Sequence, residues 1–503
     1  MDVSLLGDIR HRCQRLTQRL DSMERNLPQA GEPREVYALR THVTGDDVLS
    51  ARIALQRGSE AWIVYIQTIV NLERVHDEII QPLQGGSVAT GGSSGPPILA
   101  RATPVPSLEA QTHNLVSGHV VIFAGGSASS LDLTNFPARP PSEPSTEKTI
   151  LGSKQGLTES LNASLGALRD RVRSPQLCVE MFEIGLRSRT RVALVYLRDV
   201  ANPDVVDLTR QGLETITTSH IRTANELGEY LFQGTLTTIP LAEQTERPDR
   251  AAYGISDGRI CLVVDGTPFV LLAPTTFFEN LHDTESAVPG PITVAFVRFI
   301  RLLGLVASLT AAGLYAAVLT VDTPLLPTPL ALAVAASRTG VPYPVLTETL
   351  IMLLVVDIFS ESTAQAPGGL GSAISIVGTL IIGEMAVEAR LASSLMLIVI
   401  AVTALGSFLT LKYPFSYTLR IWKYPIALLA GLFGLFGWMA ALLLFLTHLT
   451  SLKSAGVPYM SPLGPLQPRT MLQSALGEPS GRRRIRRPGT WDVQDIRIGG
   501  RRP

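Results

Sequence analysis

The chain has 503 residues, 43 basic and 43 acidic side chains and a hydrophobic fraction of 46%. A formal net charge of zero carries no information about partners. Three widely separated cysteines (Cys13, Cys178, Cys261), eight scattered histidines and the absence of GxxxxGK[ST] from the first 290 residues exclude a disulfide framework, a spaced zinc site and a phosphate-cradling loop there, so no enzyme, no metal and no cofactor is expected.

Residues 1–34 read as a polar lead-in. The stretch MDVSLLGDIRHRCQRLTQRL lacks the basic, then apolar, then small-residue order of a secretory signal, which predicts that the following residues stay on the side where they are made.

Residues 35–145 predict a first α/β lobe. The β-branched run Trp62-Ile63-Val64-Tyr65-Ile66 gives way, after Asn71, to the helical apolar spacing of VHDEIIQPL, and a second run, His119 to Phe123, ends at Gly125-Gly126. A Gly/Ser-rich insertion at 85–97 is too poor in apolar groups to pack, and PARPPSEPSTEK at 137–148 reads as a linker.

The pattern recurs over residues 150–290, as Val192 to Leu197, then Asn202-Pro203 and VVDLTRQGLETI, then Ile260 to Val264 before Asp265-Gly266. Repetition predicts two related lobes, and Asp-Gly ahead of TPFVLLA predicts a hairpin. Asn202, Asp265, Gly266 and Thr267 fall at strand ends, where a small ligand would lie, although capping and turn formation are the preferred roles.

From residue 291 to 450 the composition becomes that of a membrane domain with four or five spans. Phe299–Val321, Leu391–Leu411 and Pro425–Leu449 approach or exceed the roughly 20 apolar residues that a hydrocarbon core of about 30 Å requires. Tyr343–Phe359 and Gly368–Ala389 contain carboxylates, which predicts that they face protein or water. Leu330–Ala336, bracketed by prolines, is short enough for an interfacial or re-entrant helix.

Asp357 and Glu361 are four residues apart, as are Glu384 and Glu388, so each pair shares a helix face. In an oligomer such faces become rings that suit a cation path; as an alternative they neutralise Arg338 and Arg390 or sit at the water interface. Gly371, Gly378 and Gly383 suit close helix packing or a hinge. Arg298 and Arg301 before the first span predict a cytoplasmic head. Residues 451–503 form an Arg-rich tail, including GRRRIRRPG from Gly481, suited to an anionic leaflet; with no aromatic platform beside it, no nucleic-acid partner is expected.

Glu183-Ile184-Gly185 with RSRTRVALVYLRDVANPDVV, Thr245 to Asp249, GRICLVVDGTPFVLLAPTTFFE from Gly258, Phe299 to Leu303, PTPLALAVAASRTGVPYP from Pro327, SIVGTLIIGEMAVEA from Ser375 and Gly456 to Pro462 together resemble the GerA family, the A subunits of spore germinant receptors. The resemblance runs from about Glu35 to Pro468. It implies an inner spore membrane protein that acts with a transporter-like B subunit and a lipoprotein C subunit. It also implies a homo-oligomer with a nutrient-gated ion path; the alternative is a non-conducting scaffold, signal relay or accessory subunit. The chain departs from the family pattern at MLLVVDIFSESTAQAPGG, and at Glu384 and Arg390, where a neutral amide and a glycine are common.

Overall fold

The computed structural model describes residues 31–55, 60–85, 102–134, 147, 153–232, 237–280, 291–365, 383–409, 413–464 and 466. Most of the lead-in, insertion residues 86–97, the linker other than Glu147, Gly371, Gly378 and the Arg-rich tail lie outside these described residues.

Two five-stranded sheets share one topology. The first contains β1 (Val48–Ala54), β2 (Glu60–Ile66), β3 (Thr103–Pro104), β4 (His119–Ala124) and β5 (Ser127–Asp132), in the order β1-β2-β4-β5-β3. The second contains β6 (Leu177–Ile184), β7 (Thr190–Leu197), β8 (Glu243–Thr245), β9 (Ile260–Val264) and β10 (Val270–Ala273), in the order β6-β7-β9-β10-β8. Helices and strands mix in each unit, as the sequence predicts, but every pairing is antiparallel. Within each sheet, short hairpins join β4 to β5, β6 to β7 and β9 to β10, Gly125 and Gly126 between β4 and β5 having the positive φ values, 60° and 78°, that a tight turn demands, while longer connections carrying helices separate β2 from β4 and β7 from β9.

Helices α1 (Arg34–His42), α2 (Leu72–Val75), α3 (Gln81–Gly85) and α4 (Leu108–Val116) accompany the first sheet; a π-helical turn, His76–Ile80, joins α2 to α3. Asn71 caps α2 by accepting the Glu73 and Arg74 N–H groups. The second sheet is covered on both faces. Leu161, Leu165 and Leu168 of α5 (Leu161–Arg171) and Ile255 of α8 (Pro248–Ser256) pack with Val195 and Val263. Val205 and Leu213 of α6 (Pro203–Thr215) and Leu227 of α7 (Ala224–Phe232) pack with Val192, Leu194 and Leu262. A strand buried on both faces has no polar alternation, which is why β9 is apolar throughout.

A buried ion pair joins the two units. Asp47 accepts two hydrogen bonds from Arg169 of α5, at 2.6 and 2.5 Å, and a third from Thr68 at 2.9 Å. Alongside, Asp46 N donates to Val179 O and the Asp46 carboxylate accepts from Met181 N, covering the edge strand β6.

Further helices follow, among them α9 (Pro291–Thr320), α10 (Thr328–Ser337), α11 (Val345–Gln365), α12 (Ser394–Phe408) and α13 (Tyr413–Ser451). Among the described residues, two runs are long and apolar enough to cross a membrane, Ile292–Thr320 and Pro414–Ser451. The predicted span Leu391–Leu411 shortens to the 15-residue α12, about 22 Å at 1.5 Å per residue. It starts at Ser393, whose hydroxyl accepts the Met396 N–H as N-cap.

The predicted single span Pro425–Leu449 is a hairpin instead. Gly434, at φ 64° and ψ −149°, breaks α13. A straight helix would separate Trp422 from Phe445 by about 35 Å, yet their rings lie 5.0 Å apart. Both legs return to one segment of the head: Thr418 Oγ1 donates to Thr238 O, and His448 Nε2 lies 3.1 Å from Thr237 Oγ1. Beyond the second leg, Ser454 donates to Leu241 O and accepts the Thr275 N–H, and Tyr459 accepts the Asn280 amide at 2.9 Å. The head and this helical half therefore share one continuous apolar core.

Helix directions follow from the contacts. α9 runs from the head towards Gly434, parallel to the first leg, because Gly313 meets Ile426 and Asp322 meets Leu435. α11 and α12 run the opposite way: Leu346 lies at Gly431 while Glu361 reaches Tyr417, and Ser393 lies at Tyr315 while Gly406 lies at Gly304. A Cβ at Gly406 would fall 2.3 Å from Gly304 O, so α9 and α12 approach closely at this pair.

Candidate functional site

Asp357 and Glu361 lie one turn apart on α11 and both face the first leg of α13. Asp357 accepts from Lys423 Nζ at 2.7 Å and from Tyr424 OH at 2.6 Å. Glu361 accepts from Tyr417 OH at 3.1 Å and lies 3.6 Å from the Arg420 guanidinium. The partners are thus neither Arg338 nor Arg390 but cations 66 and 59 residues further along the chain. Burial explains the pairing: Lys423 is 8% exposed, and an isolated charge in an apolar bundle is costly.

Glu384 and Glu388 lie on a separate helical turn, 383–388, with exposed side chains. They share a face with each other but not a cluster with Asp357 and Glu361. Gly383, at the start of that turn, packs on α12: a Cβ there would meet Leu397 at 3.1 Å.

Two carboxylates that the sequence reading passed over carry more of the architecture. Glu348, fully buried, pairs with Arg338 and accepts the Ser393 N–H at 2.7 Å, while Ser393 Oγ lies 3.1 Å from Tyr315 OH. This junction ties α9, the residues after α10, α11 and the start of α12. Asp322 accepts the Leu435 N–H at 2.6 Å, the first backbone donor of the returning leg. The available signal was an acid within an otherwise apolar stretch, which marks a buried partner without naming it.

In the head, a cleft of about 800 Å³ opens beside residues 155–160, α5 and the β6–β7 turn. Asp265 and Gly266 line it, together with Glu183, Arg189 and Arg191; Asn202 and Thr267 are not among its lining residues. Asp265 is occupied structurally, accepting the Leu161 N–H at 3.1 Å and pairing with Arg191 at 2.9 Å. Asn202 caps α6 through the Asp204 N–H, with Pro203 at the first helical position. Burial pushes the Cys178 thiol up to about 11 and raises that of Cys261, so neither is a nucleophile at neutral pH. Among the described residues no cluster of His, Cys, Asp and Glu could hold a metal ion.

The family profile described as Bacillus/Clostridium GerA spore germination protein matches residues 38–488. The chain belongs to the GerA family. It is 32% identical over 411 residues to spore germination protein KA of Bacillus subtilis (strain 168), covering 80% of this chain and 76% of that protein. It is 30% identical over 466 residues to the uncharacterized membrane protein YfkQ of the same organism, covering 91% and 90%. Stage V sporulation protein AF, also from Bacillus subtilis, is 27% identical over 377 residues, covering 74% and 76%. The N-terminal domain of the A subunit of the Bacillus megaterium germinant receptor GerK3 aligns with 48% of this chain and 93% of that domain, at 25% identity and a TM-score of 0.37.

Proposed function

We propose that this GerA-family chain is a membrane subunit of a spore germinant receptor that oligomerises around a nutrient-gated cation path. One observation carries the reading: an apolar helix bundle keeps a ladder of charged and hydroxyl side chains along α11, where anchoring alone would need none. α9, α11, α12 and the legs of α13 then form a multi-pass domain in the inner spore membrane. The two sheets of matching strand order form a cytoplasmic head of two related lobes, a non-enzymatic module for assembly with a transporter-like B subunit and a lipoprotein C subunit. Purified protein in liposomes, alone and with those subunits, tests the reading by cation flux. Neutralising Asp357, Glu361, Glu384 and Glu388 together should abolish flux or its cation preference; unchanged flux sinks the acidic path.

A second reading, a non-conducting scaffold or accessory subunit, is favoured by the pairing of Asp357 and Glu361 within one chain, since a neutralised acid attracts no ion. It predicts intact assembly with no flux from any form of the protein.

A further inference from the structure

The helical turn 383–388 and Arg390 just beyond it lie at the end of the bundle away from the head. Ser393 meets Tyr315 near the end of α9, and Arg390 rests on Gly340, which follows α10. A Cβ at Gly340 would fall 2.7 Å from both Cδ and Nη1 of Arg390. Arg390 holds this place at φ 55°, in the left-handed region that costs an arginine conformational energy. Glu384, Glu388 and Arg390 are all exposed, and among the described residues none of the three side chains has a hydrogen-bond or ion-pair partner. Nor does Arg390 pair with the acids of its own segment, since residues two apart, as Glu388 and Arg390 are, do not face each other along a helix. The same segment exposes two large apolar side chains, Met385 at 52% and Leu391 at 49%.

Unpaired charge is costly at the edge of an apolar bundle. Apolar anchors flanked by charges of both signs are also the makings of a contact surface, in which the charges fix register and partner. Because the acids and the base of one chain do not meet, each finds its complement on a second copy. We propose that Glu384 and Glu388 of one copy pair with Arg390 of the next, with Met385 and Leu391 packed at the seam between them. A contact of this kind, repeated from copy to copy, closes into a ring when the rotation between copies allows it. Two carboxylates and one guanidinium leave each copy one net negative charge at this level, so the pairing keeps such a ring acidic. The inference rests on the oligomeric part of the proposed function and names the surface that makes the oligomer.

The test uses the full chain in membranes, as two single-cysteine forms, E388C and R390C, each in a C13S background, treated with a short bis-maleimide. Co-expressed, the two forms should give a cross-linked dimer, and either form alone several-fold less. In parallel, native mass spectrometry of R390E should show the oligomeric fraction cut by roughly fivefold or more, because like charges then face each other. E384R/E388R should lose it similarly, and E384R/E388R/R390E should restore most of it. No cross-link from the mixture, equal cross-linking by one form alone, or an oligomer indifferent to R390E overturns the surface. Loss in R390E that the triple variant does not restore also overturns it, and assigns Arg390 another anion such as a lipid phosphate. Should R390E not fold, the cysteine pair decides. A monomeric wild type sinks the surface and the oligomeric reading together. Cross-linking and rescue with no cation flux from any form sink the conducting reading and leave the surface standing; flux with an oligomer that ignores R390E sinks the surface alone.

Discussion

Asp322 and Leu435, 113 residues apart, are joined by a 2.6 Å hydrogen bond from the Leu435 N–H to the Asp322 carboxylate. The bond caps the returning leg of α13 with a side chain from the end of α9, so the hairpin and the first long helix stabilise each other. Gly434 makes the reversal possible, and a Cβ there would lie 3.0 Å from the Asp322 carboxyl carbon.

Gly434→Ala should therefore destabilise the protein more than Asp322→Ala. Losing a cap costs about 1 kcal/mol. The alanine adds backbone strain of order 1–3 kcal/mol to the displaced carboxylate. Thermal unfolding of the two variants and their double gives the order, and the double should cost less than the sum because one contact is lost in both.

The Asp47–Arg169 pair should behave as a buried clasp between the two sheets. Asp47→Ala or Arg169→Ala leaves a buried charge unpaired, at a cost of about 3–5 kcal/mol. Replacing both with leucine and methionine should restore most of the loss. Denaturant midpoints of the three variants check this, and equal loss in single and double variants would refute it.

Glu348→Gln should loosen the junction between α11 and α12. The amide keeps an acceptor for the Ser393 N–H but leaves Arg338 without its counter-charge. Faster cleavage or hydrogen exchange around residues 338–344 and 390–396, with the exchange of β7 and β9 unchanged, is the expected outcome.

Asp249 titrates below the usual carboxylate range. Burial pushes it up, but the Arg247 guanidinium, hydrogen-bonded at 2.6 Å, more than offsets this. A folded value below the unfolded one means stability that is present above the unfolded value and lost as pH falls through the folded one. Asp249→Asn should flatten that acid limb and leave the neutral and alkaline limbs unchanged, as read from unfolding midpoints against pH.

How legible each part was depended on how far its partners lay along the chain. The central strands β2, β4, β7 and β9 are visible as apolar, largely β-branched runs because their buried stretches, residues 61–64, 120–123, 192–195 and 260–264, hold no polar side chain. The edge strands β1 and β6 alternate apolar positions with Arg52, Glu180 and Glu183 and carry no such signal. Asn202 and Asp265-Gly266 are legible because a cap and a turn are made with neighbours a few residues away.

The hairpin of α13 was not legible. Gly431, Gly434 and Gly437 look alike in an apolar run, and a run of that composition suits one span or two legs equally. What chooses Gly434 is Asp322, from another helix. In the same way, the spacing of Asp357 and Glu361 determined that they share a face, while their neutralisation by Lys423 and Arg420 required α11 and α13 to pack antiparallel. By itself the sequence determined family, element types and local caps, since these depend on composition, period and contacts within a turn or two. Only the tertiary structure decided which charges meet and where the chain reverses, because a buried charge is stabilised by whichever partner packing brings within about 4 Å, and sequence distance does not limit that choice.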